Sequence, residues 1–412
     1  MSLQDTPRAN RLHIGLFGRR NAGKSSLLNA LTKQGASLVS EVAGTTTDPV
    51  YKAMELPGAG AVVFIDTAGF DDTGALGEAR VAKTRQAAEK TDLALLLFPA
   101  EEMAAEKEWA AWFRARKTPV VAIVSRADEQ PDGGMALAAR VRKETGLAPI
   151  CVSASDAGAP ASAGATPRHD LAELRSAILR AIPAEYDAVS VTGGLAQSGD
   201  TVLLVMPQDI AAPKGRLILP QVQTIRDLLD RACVVVAVTA DGFRAALAAL
   251  KEPPALIVTD SQVFPEIWRQ KPPESRLTSF SVLFANYKGD IDYYAASAQT
   301  LDALSKNARI LIAEACTHAP LAEDIGRVKL PKALRRRLGD GITIEVVSGT
   351  DFPADLSPYD LIVHCGGCMF NRRYVMARIA AARAQNKPMT NYGILLAKLA
   401  GILDKIDLPR AR

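Results

Sequence analysis

Short apolar runs alternate with longer amphipathic segments over the first 183 residues of the chain. The short runs are rich in Val, Ile and Leu and predict strands at residues 12–17, 61–65, 93–98 and 120–124. The longer segments, such as residues 77–90 and 103–116, have the apolar spacing of helices that bury one face. This alternation predicts an α/β domain, residues 1–183, with a mainly parallel sheet covered by helices on both faces.

The same kind of pattern predicts two further α/β units. In residues 187–259, strands are expected at 201–206, 234–238 and 255–258, with helices at 221–232 and 242–250. In residues 260–412, strands are expected at 310–313, 343–347 and 361–363, with helices at 291–306 and 373–384. The middle unit is small for an independent core, and we therefore expect it to bury part of its surface against a partner.

Composition narrows the class of protein without identifying a substrate. The 412 residues are 48% hydrophobic and 23% charged, with a net charge of +4. This charge is too small to indicate a nucleic-acid or membrane partner, and the apolar runs are far shorter than the ~20 residues of a membrane span. A polar start, Met1 to Asp5, and five cysteines without a disulfide pattern predict a cytoplasmic protein with reduced thiols.

A phosphate-binding loop follows the first predicted strand. The segment GRRNAGKS, residues 18–25, fits the pattern GxxxxGK[ST] and precedes a helix predicted at 26–32. Backbone N–H groups of such a loop and the following helix N-terminus surround phosphate oxygens. Lys24 is expected to reach the β- and γ-phosphates, and the Ser25 hydroxyl to ligate Mg²⁺. The predicted nucleotide-binding residues of this segment are Gly18, Asn21, Ala22, Gly23, Lys24, Ser25 and Ser26.

Two later segments complete the predicted phosphate and magnesium site. Asp66 begins the sequence DTAG directly after a predicted strand, where its carboxylate can hold Mg²⁺ through water and the Gly69 N–H can contact the γ-phosphate. Between the two motifs, Thr46 lies in a predicted loop and is expected to complete the Mg²⁺ shell when a triphosphate is bound. The predicted catalytic set is therefore Lys24, Thr46, Asp66 and Gly69.

These motifs resemble the translation-factor class of P-loop GTPases, the branch that includes the tRNA-modification GTPase and Era-type proteins. The fourth motif of that class is usually Asn-Lys-x-Asp, and here Asp128 keeps the acid that accepts two hydrogen bonds from guanine. Ser125 and Arg126 replace the Asn and the Lys, so the amide contact is lost while Arg126 can still lie along the base. The resemblance implies GTP as the nucleotide, with Ser153 and Ala154 at the end of the next strand.

Two positions modify the expected hydrolysis. Phe70 stands where Ras-like proteins carry the glutamine that orients the attacking water, and the resemblance therefore implies slow intrinsic hydrolysis. Asn21 occupies the position that helps hold a bridging K⁺ in potassium-activated relatives. We therefore expect K⁺ to stimulate hydrolysis.

Three of the five cysteines lie in two late segments that can form a soft-metal site. Cys316 opens the sequence CTH after one predicted strand, and residues 364–368, HCGGC, follow another. If both strands belong to one parallel sheet, these side chains meet at its carboxyl edge. Thiolates with histidine fit either a closed zinc site or an iron–sulfur cluster. Cys151 and Cys233 lie in apolar surroundings and are expected in the core.

The order of GTPase domain, middle unit and late cysteines resembles the [FeFe]-hydrogenase maturation GTPases, the HydF family. The resemblance covers essentially the whole chain, including residues 212–221 of the middle unit. It implies a [4Fe–4S] cluster on Cys316, Cys365 and Cys368. The fourth iron position would be held by an exchangeable group, for which His318 and His364 are candidates.

The resemblance also implies a function. The protein would be a homodimeric scaffold that receives a transient diiron precursor from radical-SAM maturases and delivers it to apo-[FeFe]-hydrogenase. GTP hydrolysis would control the exchange of partners. Two alternatives remain at this point: a GTPase of the tRNA-modification type, whose folate- or RNA-binding region is not evident in the sequence, and a zinc-stabilised regulatory GTPase.

Overall fold

A computed structural model describes residues 6–33, 38–42, 49–70, 75–153, 171–183, 186, 190–206, 217–315 and 324–409. The chain divides into two compact units, Met1–Tyr186 and Asp187–Arg412. Within the described residues, no helix is long and apolar enough to cross a membrane.

The first unit is built on a seven-stranded sheet. Its strands are β1 (Leu12–Phe17), β2 (Leu38–Val42), β3 (Val50–Leu56), β4 (Gly60–Asp66), β5 (Leu93–Phe98), β6 (Val120–Ser125) and β7 (Ile150–Val152). They lie in the order β2-β3-β4-β1-β5-β6-β7. The five strands from β4 to β7 in that order are parallel, whereas β3 is antiparallel to both β2 and β4. The helices are α1 (Lys24–Lys33), α2 (Ala75–Glu89), α3 (Ala104–Ala115), α4 (Met135–Thr145) and α5 (Leu171–Ala181).

Both faces of this sheet are covered, as the continuous apolar runs predict. In β5, the leucines at positions 93, 95 and 97 enter a core shared with α1 and α5. Leu96 and Phe98, on the opposite face, enter a core shared with α3 and α4. Successive side chains of a strand point to opposite faces, so an all-apolar strand requires helices on both. The predicted α/β class, with a mainly parallel sheet, is confirmed.

The second unit contains two four-stranded parallel sheets. The first has the order β11-β10-β8-β9 and the second the order β13-β12-β14-β15. The strands are β8 (Thr201–Val205), β9 (Val234–Val238), β10 (Leu256–Thr259), β11 (Arg276–Ser279), β12 (Arg309–Glu314), β13 (Thr343–Ser348), β14 (Leu361–His364) and β15 (Met389–Asn391). The helices are α6 (Leu219–Asp230), α7 (Phe243–Ala249), α8 (Phe264–Gln270), α9 (Phe280–Lys288), α10 (Ile291–Gln299), α11 (Leu330–Leu338), α12 (Arg372–Ala384) and α13 (Tyr392–Leu399).

A single hydrophobic core joins the two sheets of the second unit. It contains Leu203 and Ile257 from the first sheet together with Leu311 and Ile362 from the second. The boundary expected between residues 259 and 260 lies between β10 and β11, which pair in parallel in one sheet. The division into residues 1–183, 187–259 and 260–412 stays a prediction.

Candidate functional site

The phosphate loop turns sharply between β1 and α1. Asn21 has a φ of 60° and Gly23 a φ of 87°, both in the left-handed region that favours glycine. Gly18 is packed so closely that an added Cβ would lie 3.1 Å from the Cβ atoms of Ala22 and Leu97. The loop therefore has a fixed shape, and it leads directly into the N-terminus of α1.

The Lys24 side chain folds back over this loop. Its Nζ donates hydrogen bonds to the carbonyl oxygens of Gly18 at 2.9 Å and Arg19 at 2.7 Å. The residue is only 7% exposed. These bonds hold the ammonium group beside the backbone that is predicted to surround the phosphates.

The two predicted protein contacts to magnesium meet in the structure. Leu16 of β1 is opposite Asp66 of β4 in the parallel register, and the Ser25 hydroxyl donates to Asp66 Oδ2 at 2.6 Å. The other carboxylate oxygen of Asp66 is buried without a hydrogen-bond partner. Burial raises the pKa of Asp66, whereas the Ser25 hydroxyl and the charges of Lys24 and Lys52 act in the opposite direction. Paired oxygen ligands with an unsatisfied acceptor suit a hard divalent cation.

A cavity of about 300 Å³ lies beside α1 and the ends of β6 and β7. Ser26, Ser125, Arg126 and Asp128 are among the residues that line it. The Ser125 hydroxyl is buried without a hydrogen-bond partner. Arg126 has a φ of 56° and its Nη2 donates to the Asn21 carbonyl oxygen at 2.7 Å. The guanidinium expected along the base is thus bonded to the phosphate loop, and Asp128 remains at the cavity wall.

Helix α3 contacts the phosphate loop and Phe70, and the sequence motifs did not predict these contacts. Glu106 is fully buried and lies 2.9 Å from Nε of Arg19 in the phosphate loop. One turn later, Trp109 stacks on Phe70 with ring centroids 5.6 Å apart. An acidic residue three positions before a core tryptophan lies on the apolar face of the helix. A charged residue on the apolar face of a helix indicates a buried ion pair, so the sequence contained a signal for the contact of Glu106.

The cysteine loop begins where β14 ends beside β12. Ala313 of β12 is opposite His364 of β14, and the backbone N–H of Cys365 donates to the Ala313 carbonyl oxygen at 2.9 Å. Cys365 and Cys368 therefore follow a central strand at the carboxyl edge of the second sheet. Both are half-buried, and neither forms a disulfide with another cysteine that the structure describes.

The sulfur of Cys365 is oriented by backbone donors. Its Sγ accepts hydrogen bonds from the N–H groups of Ala315 at 3.0 Å and Gly367 at 3.4 Å. Burial raises the pKa of the Cys365 thiol to about 11, while these two N–H groups act in the opposite direction. Backbone donors aimed at a sulfur are the surroundings that thiolate ligands and cluster sulfides require. Metal binding at Cys365 would release its proton.

His364 is fully buried behind the cysteine loop. Its Nδ1 lies 2.7 Å from the Cys365 carbonyl oxygen, and its Nε2 lies 3.0 Å from Nη1 of Arg378 in α12. Burial, followed by the charge of Arg378, lowers the pKa of His364 to about 3. The imidazole is therefore neutral, with both ring nitrogens in hydrogen bonds.

Several predicted residues cannot be placed. Thr46, Ala154, Cys316 and His318, together with residues 212–216, lie outside the described residues. Among the described residues, no three Asp, Glu, His or Cys side chains converge as a metal site. Ser153 is 3% exposed directly after β7, and Gly69 follows β4. Cys151 and Cys233 are 7% and 6% exposed, which confirms their expected place in the core.

Three family models match consecutive parts of the chain. Residues 13–126 match a model described as 50S ribosome-binding GTPase. Residues 191–289 match the hydrogen maturase F dimerization domain, and residues 292–407 match the hydrogen maturase F tetramerization domain. Together these matches cover most of the chain.

Similar proteins resemble part of the chain. Over 91 residues the chain is 47% identical to GTPase Der of Wolinella succinogenes. The aligned part covers 21% of this chain and 19% of that protein. Over 147 residues the chain is 36% identical to the tRNA modification GTPase MnmE of Methylorubrum populi. The aligned part covers 34% of this chain and 32% of that protein. The chain thus spans about a fifth to a third of the length of these curated relatives.

Solved structures of GTPases are also similar. Era from Aquifex aeolicus, in complex with GDP and aluminium fluoride, is 20% identical with a TM-score of 0.33, over 62% of this chain and 97% of that one. The cytosolic domain of the T. maritima iron transporter FeoB, in a GDP form, is 16% identical with a TM-score of 0.30, over 41% of this chain and 64% of that one.

The family models decide the family. The prediction of a P-loop GTPase is confirmed by the GTPase model and by the relatives Der and MnmE. The two maturase F models match residues 191–289, which contain most of the middle unit, and residues 292–407, which contain Cys365 and Cys368. The chain belongs to the hydrogen maturase F family.

Proposed function

We propose that this protein is a GTPase and iron–sulfur scaffold that carries the diiron subcluster of the H-cluster to apo-[FeFe]-hydrogenase. Radical-SAM maturases would supply the diiron precursor as cargo. The observation that carries the proposal is the cysteine loop, in which Cys365 follows a central strand and its sulfur accepts two backbone N–H groups. This loop lies within residues 292–407, which match the hydrogen maturase F tetramerization domain, in a chain that also matches a GTPase and the hydrogen maturase F dimerization domain. The tRNA-modification and zinc-regulatory alternatives do not account for those domains.

The nucleotide site supports Mg²⁺-dependent hydrolysis of GTP. Ser25 and Asp66 would hold Mg²⁺, with Thr46 completing its shell, and Lys24 would neutralise the phosphates. The Gly69 N–H would contact the γ-phosphate, and Asp128 would accept hydrogen bonds from guanine. The side chain of Phe70 has no hydrogen-bonding group that could orient a water molecule, and its ring is stacked in the core against Trp109. Slow intrinsic hydrolysis is therefore expected.

Potassium would accelerate this hydrolysis through Asn21. The Asn21 side chain is exposed on the phosphate loop, and its left-handed backbone turns the loop at that position. A K⁺ bound there would add positive charge beside the phosphates as negative charge develops. Hydrolysis measured in KCl should be faster than in NaCl at equal ionic strength. Equal rates in the two salts would refute the potassium site.

The cysteine loop would hold a [4Fe–4S] cluster through Cys365, Cys368 and Cys316. When bound, the cluster supplies an iron with an exchangeable position at which the diiron cargo can dock. The protein's own residues orient the sulfur of Cys365, which accepts hydrogen bonds from the N–H groups of Ala315 and Gly367.

A second copy of the chain would cover the exposed edge of the first sheet in the second unit. Strand β9 is at the end of that sheet, and Val234 in it is 55% exposed. Val222 and Leu229 of α6 are 41% and 55% exposed. An apolar strand with an open edge is prone to pair with another strand. Because residues 191–289 match a dimerization domain, we propose a homodimer through this edge.

Replacing Cys365 tests the scaffold function. Cys365→Ser should lose iron after anaerobic reconstitution and fail to activate apo-hydrogenase, while its GTP hydrolysis equals that of the wild type. Cys233→Ser is the matched control, because Cys233 is buried and its sulfur contacts the Gln197 carbonyl oxygen. Iron and sulfide analysis of the wild type completes the test. A colourless wild-type protein with one tightly bound zinc, and no cluster after reconstitution, would contradict the proposal.

A further inference from the structure

Arg378 of α12 is a buried cation behind the cysteine loop. The residue is 3% exposed. Its Nη1 contacts Nε2 of His364 at 3.0 Å, and its Nη2 donates to the carbonyl oxygen of Gly349. Within the described part of the chain, no Asp or Glu forms an ion pair with this guanidinium. Removing an unpaired charge from water costs several kcal/mol, so the position requires a compensating interaction.

Aromatic rings supply only part of that compensation. The Arg378 guanidinium carbon lies 4.8 Å from the ring centroid of Phe352, 4.7 Å from that of Phe370 and 4.8 Å from that of Tyr374. Each such contact is a weak attraction between the cation and the electron-rich face of the ring. None of these rings carries a net negative charge that could balance the guanidinium, which also contacts the histidine next to Cys365. An anion bound at the cysteine loop would compensate it.

The hydrogen bonds define the state of His364. A guanidinium has five N–H donors and no acceptor, so Nε2 of His364 must accept from Arg378. The ring proton is then on Nδ1, which donates to the Cys365 carbonyl oxygen at 2.7 Å. Both ring nitrogens are used, and neither has a lone pair available for iron. His364 thus connects Arg378 to the backbone of a proposed ligand residue.

We infer that Arg378 is a positioning residue and counter-charge for the cysteine loop, and that it acts through His364, which orients Cys365 and is not an iron ligand. This inference rests on the proposed cluster at Cys316, Cys365 and Cys368. Three thiolates make such a cluster anionic, and a cation held in a low-dielectric site stabilises that charge strongly. The exchangeable iron position then belongs to a group other than His364.

Substitution of Arg378 tests the counter-charge. Arg378→Met should bind less iron after anaerobic reconstitution, and the cluster that forms should have a more negative midpoint potential, because reduction adds negative charge. Arg378→Lys, which keeps the charge, should restore the potential towards the wild-type value. Arg383→Met is the matched control: Arg383 is in the same helix and pairs with Asp290 at the surface. If Arg378→Met has the same iron content and the same midpoint potential as Arg383→Met, the inference is overturned.

Substitution of His364 tests the ligand question independently. His364→Asn keeps an N–H donor near the position of Nδ1 and removes Nε2. The nitrogen hyperfine couplings of its reduced cluster, measured by pulsed electron paramagnetic resonance, should match those of the wild type. Loss of a strong nitrogen coupling in this variant would show that His364 binds iron and would overturn the inference. A wild-type protein that forms no cluster would instead refute the proposed function itself.

Discussion

The phosphate loop and the cysteine loop both follow a strand at the carboxyl edge of a parallel sheet, but their polar groups are held differently. In the phosphate loop, Lys24 bonds to carbonyl oxygens of Gly18 and Arg19 within the same motif. In the cysteine loop, the sulfur of Cys365 accepts from Ala315, which is 50 residues earlier. The Lys24 contacts are thus made within contiguous sequence, whereas the Cys365 sulfur is held both by its own loop and by a separate element.

This difference determines which residues should affect each site when they are substituted. A contiguous loop brings its groups together when one turn forms, whereas the cysteine loop requires β12, β14 and α12 to be packed first. We therefore expect the nucleotide site to respond to changes in its own motif residues. The cysteine site should respond as well to residues outside the HCGGC sequence.

The largest predicted effect is that of Lys24→Ala on the nucleotide site. Removing the ammonium that is held over the loop should lower GTP hydrolysis roughly 10²-fold or more, because an electrostatic contact to the developing phosphate charge is lost. Iron content after reconstitution should not change. Lys107→Ala is the control, because the Lys107 side chain forms a surface ion pair with Glu144. Hydrolysis at the wild-type rate in Lys24→Ala would show that the loop does not bind the phosphates as argued.

The fold was predictable where a strand is apolar throughout. All six residues of β1 (Leu12–Phe17) are buried, and the strand has the predicted bounds. Strand β3 was not predicted, because Lys52 and Glu55 interrupt its apolar positions and it is antiparallel to its neighbours. The helix predicted over residues 291–306 ends at Gln299, followed by a 3₁₀ turn at Thr300–Ala303. Apolar pattern thus located the central strands better than helix ends and the antiparallel strands.

The candidate sites were predictable to the extent that their residues form motifs. The sequence brought Ser25 and Asp66 into one site, and the structure places them in hydrogen-bond contact. It gave no reason to single out Arg378, which lies in a helix with three other arginines. Glu106 lies on the apolar face of an amphipathic helix, a position that indicates a buried charge but does not identify its partner. Both residues act on loops from a different element, and this requires tertiary contacts that no local pattern encodes.

A pair of glycine variants tests how strictly the cysteine loop is shaped. Gly367 has a φ of 64°, and an added Cβ would lie 3.1 Å from Val375, whereas a Cβ on Gly366 would meet no atom within 4 Å. Gly367→Ala should destabilise the loop by about 1–2 kcal/mol and lower the iron content. Gly366→Ala should bind iron as the wild type does. Iron analysis of both variants decides the matter, and equal iron content in the two would contradict the argument from loop shape.

A smaller effect is expected where a distant side chain supports the phosphate loop. Arg126→Met removes the bond from Nη2 to the Asn21 carbonyl oxygen. The Arg126 side chain is 43% exposed, so we expect a loss of only about 1 kcal/mol in GTP binding, or about fivefold in Kd. Titration with a fluorescent GTP analogue measures this. Arg140→Met, which removes surface ion pairs with Glu101 and Glu144, is the control. If the Kd of Arg126→Met equals that of the wild type, the bond from Arg126 does not contribute to the conformation of the phosphate loop that binds GTP.

The smallest predicted effect concerns the residue that caps the N-terminus of α10. The Asp290 carboxylate accepts a hydrogen bond from the Tyr293 N–H at the start of α10. Helix α10 packs on β15. The same carboxylate pairs with Arg383 of α12, with a distance of 2.6 Å between oxygen and nitrogen. Burial acts to raise the pKa of Asp290, but the Tyr293 N–H and Arg383 outweigh it and lower this pKa below its usual value of 3.8.

Asp290→Ala should therefore lower the free energy of unfolding by about 0.5–1 kcal/mol at neutral pH. A depressed carboxyl pKa stabilises the folded state above the unfolded pKa, and this contribution is lost as the carboxylate takes up its proton in the folded protein. The difference from the wild type should thus shrink as the pH falls below about 4. Urea denaturation across this range measures it, with Asp340→Ala, an exposed turn residue of the same unit, as control. A difference that persists unchanged in acid would assign the effect to helix propensity rather than to the charge that ties α10 to the helix carrying Arg378.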